Sequence, residues 1–344
     1  MQNVKSLVKQ QKVLLELQKN KEVYPHFVSK VKVKETHISW IFLTGKYVYK
    51  VKKGLKFGNV LDFSTLSLRR KFCQREVRLN KILCPDMYKG VVKIIKKNDG
   101  SIKIKNLEYH SHTKTLEYAV KMKEIPQKFR MDYLICKNII DAKTISRLAE
   151  FLVEFHRFTP TDSRIMLFGR PKSLKTKIVE NFNTLSKLAS ISPIFEQKLV
   201  SFITSHKGLF YERINQLKVR DIHGDLYLKN IFIVDHKFYL YDRIEFNDSL
   251  RYADVAEDVA HISMDLDFHR RPNLRKHFFS QYLEKSNDNT LEELIHFWMC
   301  YKACVRAKVS FFSAKNEKDN KRRAANIREA ESHLRLATSY VELF

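Results

Sequence analysis

Little in this chain would cross a bilayer or hold it open. Glycine and proline are scarce, at 8 and 7 of 344 residues, while apolar residues make up 44%. That composition belongs to a compact folded chain of one large or two modest domains. No apolar run reaches the ~18 residues of a membrane span, since the best candidate, residues 296–312, is interrupted by Lys302, Arg306 and Lys308. The five cysteines are odd in number and form no Cys-x-x-Cys pair, which excludes a disulfide framework and a zinc knuckle. Cys300 and Cys304 share a helix face and read as core packing. Internal repeats and low-complexity tracts are missing. So is any Gly-x-x-x-x-Gly-Lys-Ser/Thr loop, which removes the P-loop nucleotidases. The first twenty residues place Lys5, Lys9 and Lys12 among Val4, Leu7, Val8, Leu14 and Leu15, an amphipathic helix without the apolar core of a signal peptide. A cytoplasmic location is expected.

Carboxylates are also in short supply. Lys and Arg number 64 against 38 Asp and Glu, a formal charge of +26. A field of that size draws in nucleic acid, anionic lipid or acidic metabolites. The lysines, however, are scattered through the whole chain alongside Ile, Phe, Tyr and Asn, whereas a dedicated nucleic-acid surface would cluster them. An ATP-attracting or solubilising effect is the expectation.

What the sequence does contain is concentrated in His223-Gly224-Asp225-Leu226-Tyr227-Leu228-Lys229-Asn230, followed twelve residues later by Asp242. An acid, an amide and a second acid at this spacing match the catalytic base and the two magnesium ligands of a phosphoryl-transfer enzyme. Residues 231–234 and 238–241 flank a polar three-residue turn and predict a β-hairpin. Asn230 enters its first strand and Asp242 leaves its second, so antiparallel pairing predicts that their side-chain oxygens lie near one another. Mg²⁺ takes such oxygens and keeps water and phosphate in its other positions. Asp225 is then available to accept the proton of an attacking hydroxyl.

On these residues the chain resembles the aminoglycoside phosphotransferase-like kinases, the small-molecule branch of the protein-kinase-like superfamily. In that branch the loop reads His-Gly-Asp, as here at residues 223–225, where most protein kinases have His-Arg-Asp. The segment 254–260, Asp-Val-Ala-Glu-Asp-Val-Ala, is similar to the Asp-x-x-x-Asp-Leu-Ala helix of the family, and its closeness to Asp242 leaves little room for a peptide-docking activation segment. The resemblance implies an α+β, bilobal protein-kinase-like fold, with a small antiparallel-sheet lobe carrying one long helix and a larger, mostly helical lobe. It implies ATP and Mg²⁺ as cofactors and a small-molecule hydroxyl acceptor as partner. One departure stands out. The loop 35–39, between strands predicted at 28–34 and 40–44, contains no glycine, so backbone amides or the hydroxyls of Thr36 and Ser39 are the phosphate contacts available there.

The resemblance assigns the nucleotide-binding residues. In a third strand, 46–52, Val48, Lys50 and Lys52 share one face and Tyr47, Tyr49 and Val51 the other. Lys50 matches the family's phosphate-orienting lysine, with Lys52 and Lys53 as its sequence rivals. A helix over 65–83, capped by Ser64, holds a single carboxylate, Glu76, which is the implied partner of Lys50. A hairpin follows at 91–95 and 102–104 around Asn98-Asp99-Gly100, and then a strand at 118–122. The segment Met122, Lys123, Glu124 and Ile125 is the implied hinge for adenine, with Val48 as an apolar contact. Helices are expected at 145–155, 175–188, 195–211 and 252–267, from 291, and from about 320 to the end. The domains divide as 1–125, a nucleotide-binding lobe, and 126–344, a catalytic and substrate lobe.

Three further polar groups bear on the site. His223 reads as a brace for the loop, since Asp225 holds the base position. Glu245 is either an additional metal ligand or a surface acid. Asp254 and Asp258, one turn apart, are expected to accept backbone N–H bonds from the catalytic loop. The reading is a Mg²⁺-dependent kinase with Asp225, Asn230 and Asp242 in the catalytic roles and Asn230 and Asp242 on the metal. An atypical protein kinase and a nucleotide-binding pseudokinase or basic RNA-associated scaffold are its alternatives. Acceptor identity, ATP against GTP, and oligomeric state stay open.

Overall fold

The computed structural model describes residues 2–58, 60–109 and 113–344, with side chains from residue 10 onward within the first helix. The chain forms two compact units, Met1–Phe129 with Phe232–Asp248 and Arg130–Ile231 with Ser249–Phe344. Residues 232–248 thus belong with the first unit, apart from the chain on either side of them.

The first unit opens with α1 (Gln2–Lys19). Val4, Leu7 and Val8 lie outside the described side chains. Where the helix is described, its packed positions are Gln10, Val13 and Leu17 at helical spacing, while Leu15 is half-exposed. Strands β1 (Lys32–Glu35), β2 (Ser39–Leu43) and β3 (Tyr47–Lys52) follow, then the short pair β4 (Lys56–Phe57) and β5 (Leu61–Asp62), α2 (Leu66–Asn80), β6 (Tyr88–Lys96), β7 (Ile102–Asn106) and β8 (Lys114–Lys123). The main sheet has the order β1-β2-β3-β8-β6-β7 and is antiparallel throughout. Period-two alternation sends Tyr49 and Val51 into an apolar core with Phe42, Val92, Ile94 and Ala119. Lys50 and Lys52 are left on the opposite face. Between β6 and β7 the turn takes Gly100 at φ +84, a left-handed value at which glycine has no steric cost, and Asp99 accepts the Ser101 N–H at 2.8 Å.

The cap of α2 differs from the sequence reading. Thr65 accepts the Leu68 N–H at 3.2 Å, while the Ser64 hydroxyl donates to Asp62 at 2.6 Å and is unavailable as a cap. The first strand also starts four residues later than expected, and its residues 32–35 are exposed.

The second unit begins with α3 (Met131–Cys136), α4 (Ala142–Phe158), α5 (Ser163–Met166), α6 (Pro171–Leu185), α7 (Ile194–Ser205) and α8 (Lys207–Asn215), then β9 (Val219–Asp221). The single helix expected over 195–211 is two, broken at His206, whose φ of −110° and ψ of 33° leave helical geometry. The chain returns to the first unit through β10 (Ile231–Val234) and β11 (Lys237–Leu240), paired as the predicted hairpin. Next come β12 (Tyr252–Asp254), α9 (Ala256–Phe268), α10 (Pro272–Ser286), α11 (Leu291–Asn316) and α12 (Asn320–Val341). Residues 252–254, expected to open a helix, instead pair antiparallel with β9. The helix α10 was not anticipated. Its start is the proline-opened kind that tolerates a missing N–H. No described helix is long and apolar enough to cross a membrane. The cysteines are free, and Cys300 and Cys304 are buried, as core packing requires.

Candidate active site

In the first unit β3 delivers two lysines to the face covered by α2. Lys50 Nζ lies 2.9 Å from Glu76 Oε1 and 2.5 Å from Asp242 Oδ1. Lys52 Nζ lies 2.6 Å from Glu76 Oε2 and also contacts Glu245. Glu76 thus spans both lysines, and Lys52, one of the rivals of Lys50 in the sequence, shares its carboxylate. Lys53 is elsewhere, paired with Glu35 at 2.6 Å.

Burial and charge oppose each other in this cluster. Burial lowers the Lys50 pKa, but Asp242, Glu76 and Glu245 outweigh it and hold the ammonium well above its ordinary value. Lys52 is raised in the same way against its own burial by Glu245 and Glu76. Glu76, despite full burial, is held below the usual carboxylate range by the two lysines. Glu245 goes the other way, because burial outweighs the pull of Lys52 and raises it. The exposure of the two acids at the end of the hairpin separates them: the Asp242 side chain is 44% exposed and that of Glu245 is 3%. Asp242 therefore presents its carboxylate to solvent, whereas Glu245 is enclosed with Lys52.

Asp242 is positioned by its backbone. It adopts φ +66, a left-handed value that Asp tolerates better than most residues, and its N–H donates to Tyr88 Oη at 3.2 Å. The next residue is pinned by Asn80 at the end of α2, whose Oδ1 accepts the Arg243 N–H at 2.9 Å.

The segment assigned to adenine runs on from β8. Val48 is in register with Met122. The Lys123 N–H donates to Met87 O at 2.8 Å and the Glu124 N–H to Lys46 O at 3.1 Å, while the Glu124 carboxylate accepts the Gly45 N–H at 2.8 Å. These two amides are committed to the fold and are not open to a base. The loop 35–39 corrects the sequence reading of its hydroxyls. Thr36 Oγ1 accepts the Ser39 N–H at 3.0 Å and donates to Ser39 O at 3.1 Å, and Ser39 is buried. The Thr36 side chain serves the turn through the Ser39 backbone, while the Ser39 hydroxyl is buried with no hydrogen-bond partner among the described residues, so neither hydroxyl is presented to a phosphate.

In the second unit α9 builds the loop that carries Asp225. Asp258 accepts the His223 N–H at 2.8 Å and the Gly224 N–H at 3.0 Å, one on each carboxylate oxygen. Burial would raise its pKa, but the hydrogen bond and charge of His156, 3.3 Å away, keep it low. Seven residues on, Asp265 accepts the Leu228 N–H at 2.8 Å, and burial raises its pKa. The Asn230 amide nitrogen donates to Asp225 O at 2.9 Å. Gly224 sits at φ +87, a conformation that an arginine side chain would adopt only with strain. The Asp225 carboxylate remains 37% exposed, 3.9 Å from His261 Nδ1.

Asp254 does not join this loop. It lies on β12 and makes a two-pronged pair with Arg213, at 2.8 and 2.5 Å. Its turn-mate role fails because residue 254 is strand rather than helix. Sequence reasoning also missed Asp265, His156, His261, Lys302 and Arg306. Asp265 was findable, since it lies on the same face of α9 as Asp258 two turns later. The others come from distant segments and carry no spacing signal.

No protein-family model matches the chain. An uncharacterised protein of Mycobacterium tuberculosis (strain H37Rv) is 30% identical over 285 residues, covering 81% of this chain and 54% of its own length, and one of Mycobacterium bovis matches to the same extent. The chain spans about half the length of these curated relatives. Among solved structures, a Plasmodium vivax ethanolamine kinase matches with a TM-score of 0.52 at 13% identity, over 90% of this chain and 82% of that one. A choline kinase from Cryptosporidium parvum matches at 0.52 and 11% identity, over 96% and 94%. A choline/ethanolamine kinase family protein from Mesorhizobium loti gives 0.50 at 8% identity, over 98% and 100%. At such identities the likeness establishes the fold, and it is the α+β, protein-kinase-like fold that the sequence implied.

Proposed function

We propose that the chain is an ATP-dependent phosphotransferase that moves the γ-phosphoryl group to a hydroxyl of a small molecule. The observation that carries this reading is the buried Lys50–Glu76 pair with Asp242 on the same ammonium, a preorganised cation beside an exposed acid. The names of the ethanolamine and choline kinases that share the fold support it.

In this reading Lys50, held by Glu76, orients the triphosphate, and Val48 with residues 122–125 receives the base. The hard oxygens of Asn230 and Asp242 suit Mg²⁺. Asp242 is the exposed carboxylate of its cluster, and Asn230 commits its nitrogen to Asp225 O, so a cation would meet its oxygen. The ion, when bound, neutralises charge on the phosphoryl group. Asp225 accepts the proton of the acceptor hydroxyl as that oxygen bonds to the γ-phosphorus; ADP leaves, and the proton passes on to solvent. Asp258 and Asp265 hold the loop without touching reactants. Such a reaction suits the cytoplasm, the compartment rich in ATP.

The test is ATP consumption by the purified chain with Mg²⁺ against a panel of hydroxylated metabolites. Asp225→Asn is expected to retain ATP binding and lose at least ~10²-fold in turnover, because the base goes while the phosphate contacts stay. Unchanged turnover in that variant removes Asp225 from the role.

A further inference from the structure

If the phosphotransferase reading holds, the surroundings of Asp225 in the helical unit restrict what the acceptor is. One turn beyond Asp258 on α9, His261 is 1% exposed, neither ring nitrogen is hydrogen-bonded among the described residues, and its Nδ1 is 3.9 Å from Asp225 Oδ1. Burial, and then Lys302, Arg306 and His333, keep the ring neutral, far below its ordinary pKa. A neutral imidazole carries one donor and one acceptor, and both are left open beside the proposed base. Tyr227 stacks on this ring, with centroids 5.4 Å apart and planes 13° from parallel. The Arg306 guanidinium lies 4.2 Å from the centroid of the same Tyr227 ring.

Cations and carboxylates both stand around this group, with Asp225, Asp265 and Glu329 all acting on the Arg306 guanidinium. Arg306, with a side chain 10% exposed, has Glu329 as its ion-pair partner among the described residues, at a loose 3.9 Å, and Glu329 lies closer to Lys229, at 3.3 Å. Lys302 reaches Gly224 O at 3.5 Å and Glu257 at 2.8 Å. Farther along α11, burial and the charges of Lys302 and Lys177 pull Lys308 down to about 8. A quaternary or primary ammonium, as choline and ethanolamine carry, would stand beside the Arg306 guanidinium, and the exposed carboxylate that could offset it, Asp225, is needed for the hydroxyl. An anion meets a guanidinium with donors to spare.

We propose that the acceptor is a polyhydroxylated anion, a sugar acid or a sugar phosphate. Arg306 binds its carboxylate or phosphate, His261 hydrogen-bonds a neighbouring hydroxyl, and the reacting hydroxyl rests on Asp225. The phosphoryl group passes from ATP to that oxygen, whose proton goes to Asp225.

Four probes with ATP and Mg²⁺ test this: gluconate, glucose 6-phosphate, glucose and choline, read as ADP release and as a melting-temperature shift. At least one anion is expected to raise both above glucose and choline, and which anion responds separates carboxylate from phosphate recognition. Arg306→Gln should raise KM for the responding anion ~10- to 100-fold, the size of a lost charge-assisted contact, with a smaller change in kcat, and Arg306→Lys should recover part of it. Should Arg306→Gln fail to fold, the preference of the unaltered chain still decides. Preference for choline or glucose, no response to either anion while ATP binds, or an unchanged KM in Arg306→Gln overturns the acceptor proposal alone. Absence of any ATP-dependent melting shift overturns the kinase reading beneath it.

Discussion

Replacing Lys52 by methionine isolates the least expected part of the nucleotide-side cluster. Lys52 and Glu76 are fully buried and Glu245 is nearly so, so the substitution removes one cation from between two carboxylates and leaves Glu245 without its partner. Breaking a buried ion pair from one side costs about 3–5 kcal/mol. For 344 residues at ~2 cal/mol/K of unfolding entropy each, that is a fall in melting temperature of roughly 4–7 °C. Removing the stranded acid as well reverses the sign of the argument. In Lys52→Met/Glu245→Leu an apolar pair of similar volume replaces the ions, which is often neutral or stabilising, and Glu76 keeps Lys50 at 2.9 Å. The double variant is therefore expected to recover most of the loss.

The deficit of the single variant also depends on pH. Burial raises the Glu245 pKa in the folded chain. Folding thus favours its protonated form, and this contribution is fully present below the unfolded value of ~4.3 and declines as pH rises past it. Without Lys52 the folded pKa rises further, so the loss in Lys52→Met should be larger at pH 8 than at pH 5. Urea denaturation of the parent, single and double variants at both pH values measures all three terms. A single variant within about 1 kcal/mol of the parent, or a double variant no more stable than the single, refutes the cluster as the source of stability.

Asp242→Ala is expected to abolish the Mg²⁺-dependent part of the ATP melting shift, since it removes the exposed carboxylate of the cluster; a shift that survives at equal ligand concentration puts the metal elsewhere. The dispersed +26 charge should give weak, sequence-indifferent RNA or DNA binding that collapses between ~50 and 200 mM salt, measurable by fluorescence anisotropy. ATP binding is expected to weaken only modestly over that range, because on the proposed function the triphosphate would meet a buried, fixed lysine. Selective RNA binding at 200 mM salt with no ATP binding would reverse the assignment.

The parts of the fold that the sequence makes legible are those set by short periods. Alternation in β3 sorts Tyr49 and Val51 from Lys50 and Lys52, and the polar turn at 235–237 marks the hairpin. The single carboxylate of α2 leaves Glu76 as the available partner for a strand lysine. Local hydrogen-bond competition hides the rest. Ser64 and Thr65 are both acceptable caps, and only the engagement of Ser64 by Asp62 decides between them. Asp254 and Asp258 look alike one turn apart, yet pairing with β9 holds residue 254 in a strand, where Arg213 reaches it.

The ambiguity at β3 has a different origin. Lys50 and Lys52 are two residues apart on one face, so pleat, burial and neighbours treat them alike, and Glu76 contacts both with one oxygen each. What separates them is the second carboxylate each receives, and both of those come from the segment after β11, nearly two hundred residues away. Asp242 takes the left-handed backbone and stays exposed, while Glu245 is buried. Lys50 consequently shares its ammonium with an acid that a ligand can reach, and Lys52 with one that it cannot. A ligand that drew Asp242 away would leave Lys50 held by Glu76 alone and free to take phosphate oxygens in exchange, whereas Lys52 would keep both of its acids. On the proposed function, then, Lys50 is the lysine suited to a nucleotide and Lys52 the one that would fix Glu76 while the exchange occurs.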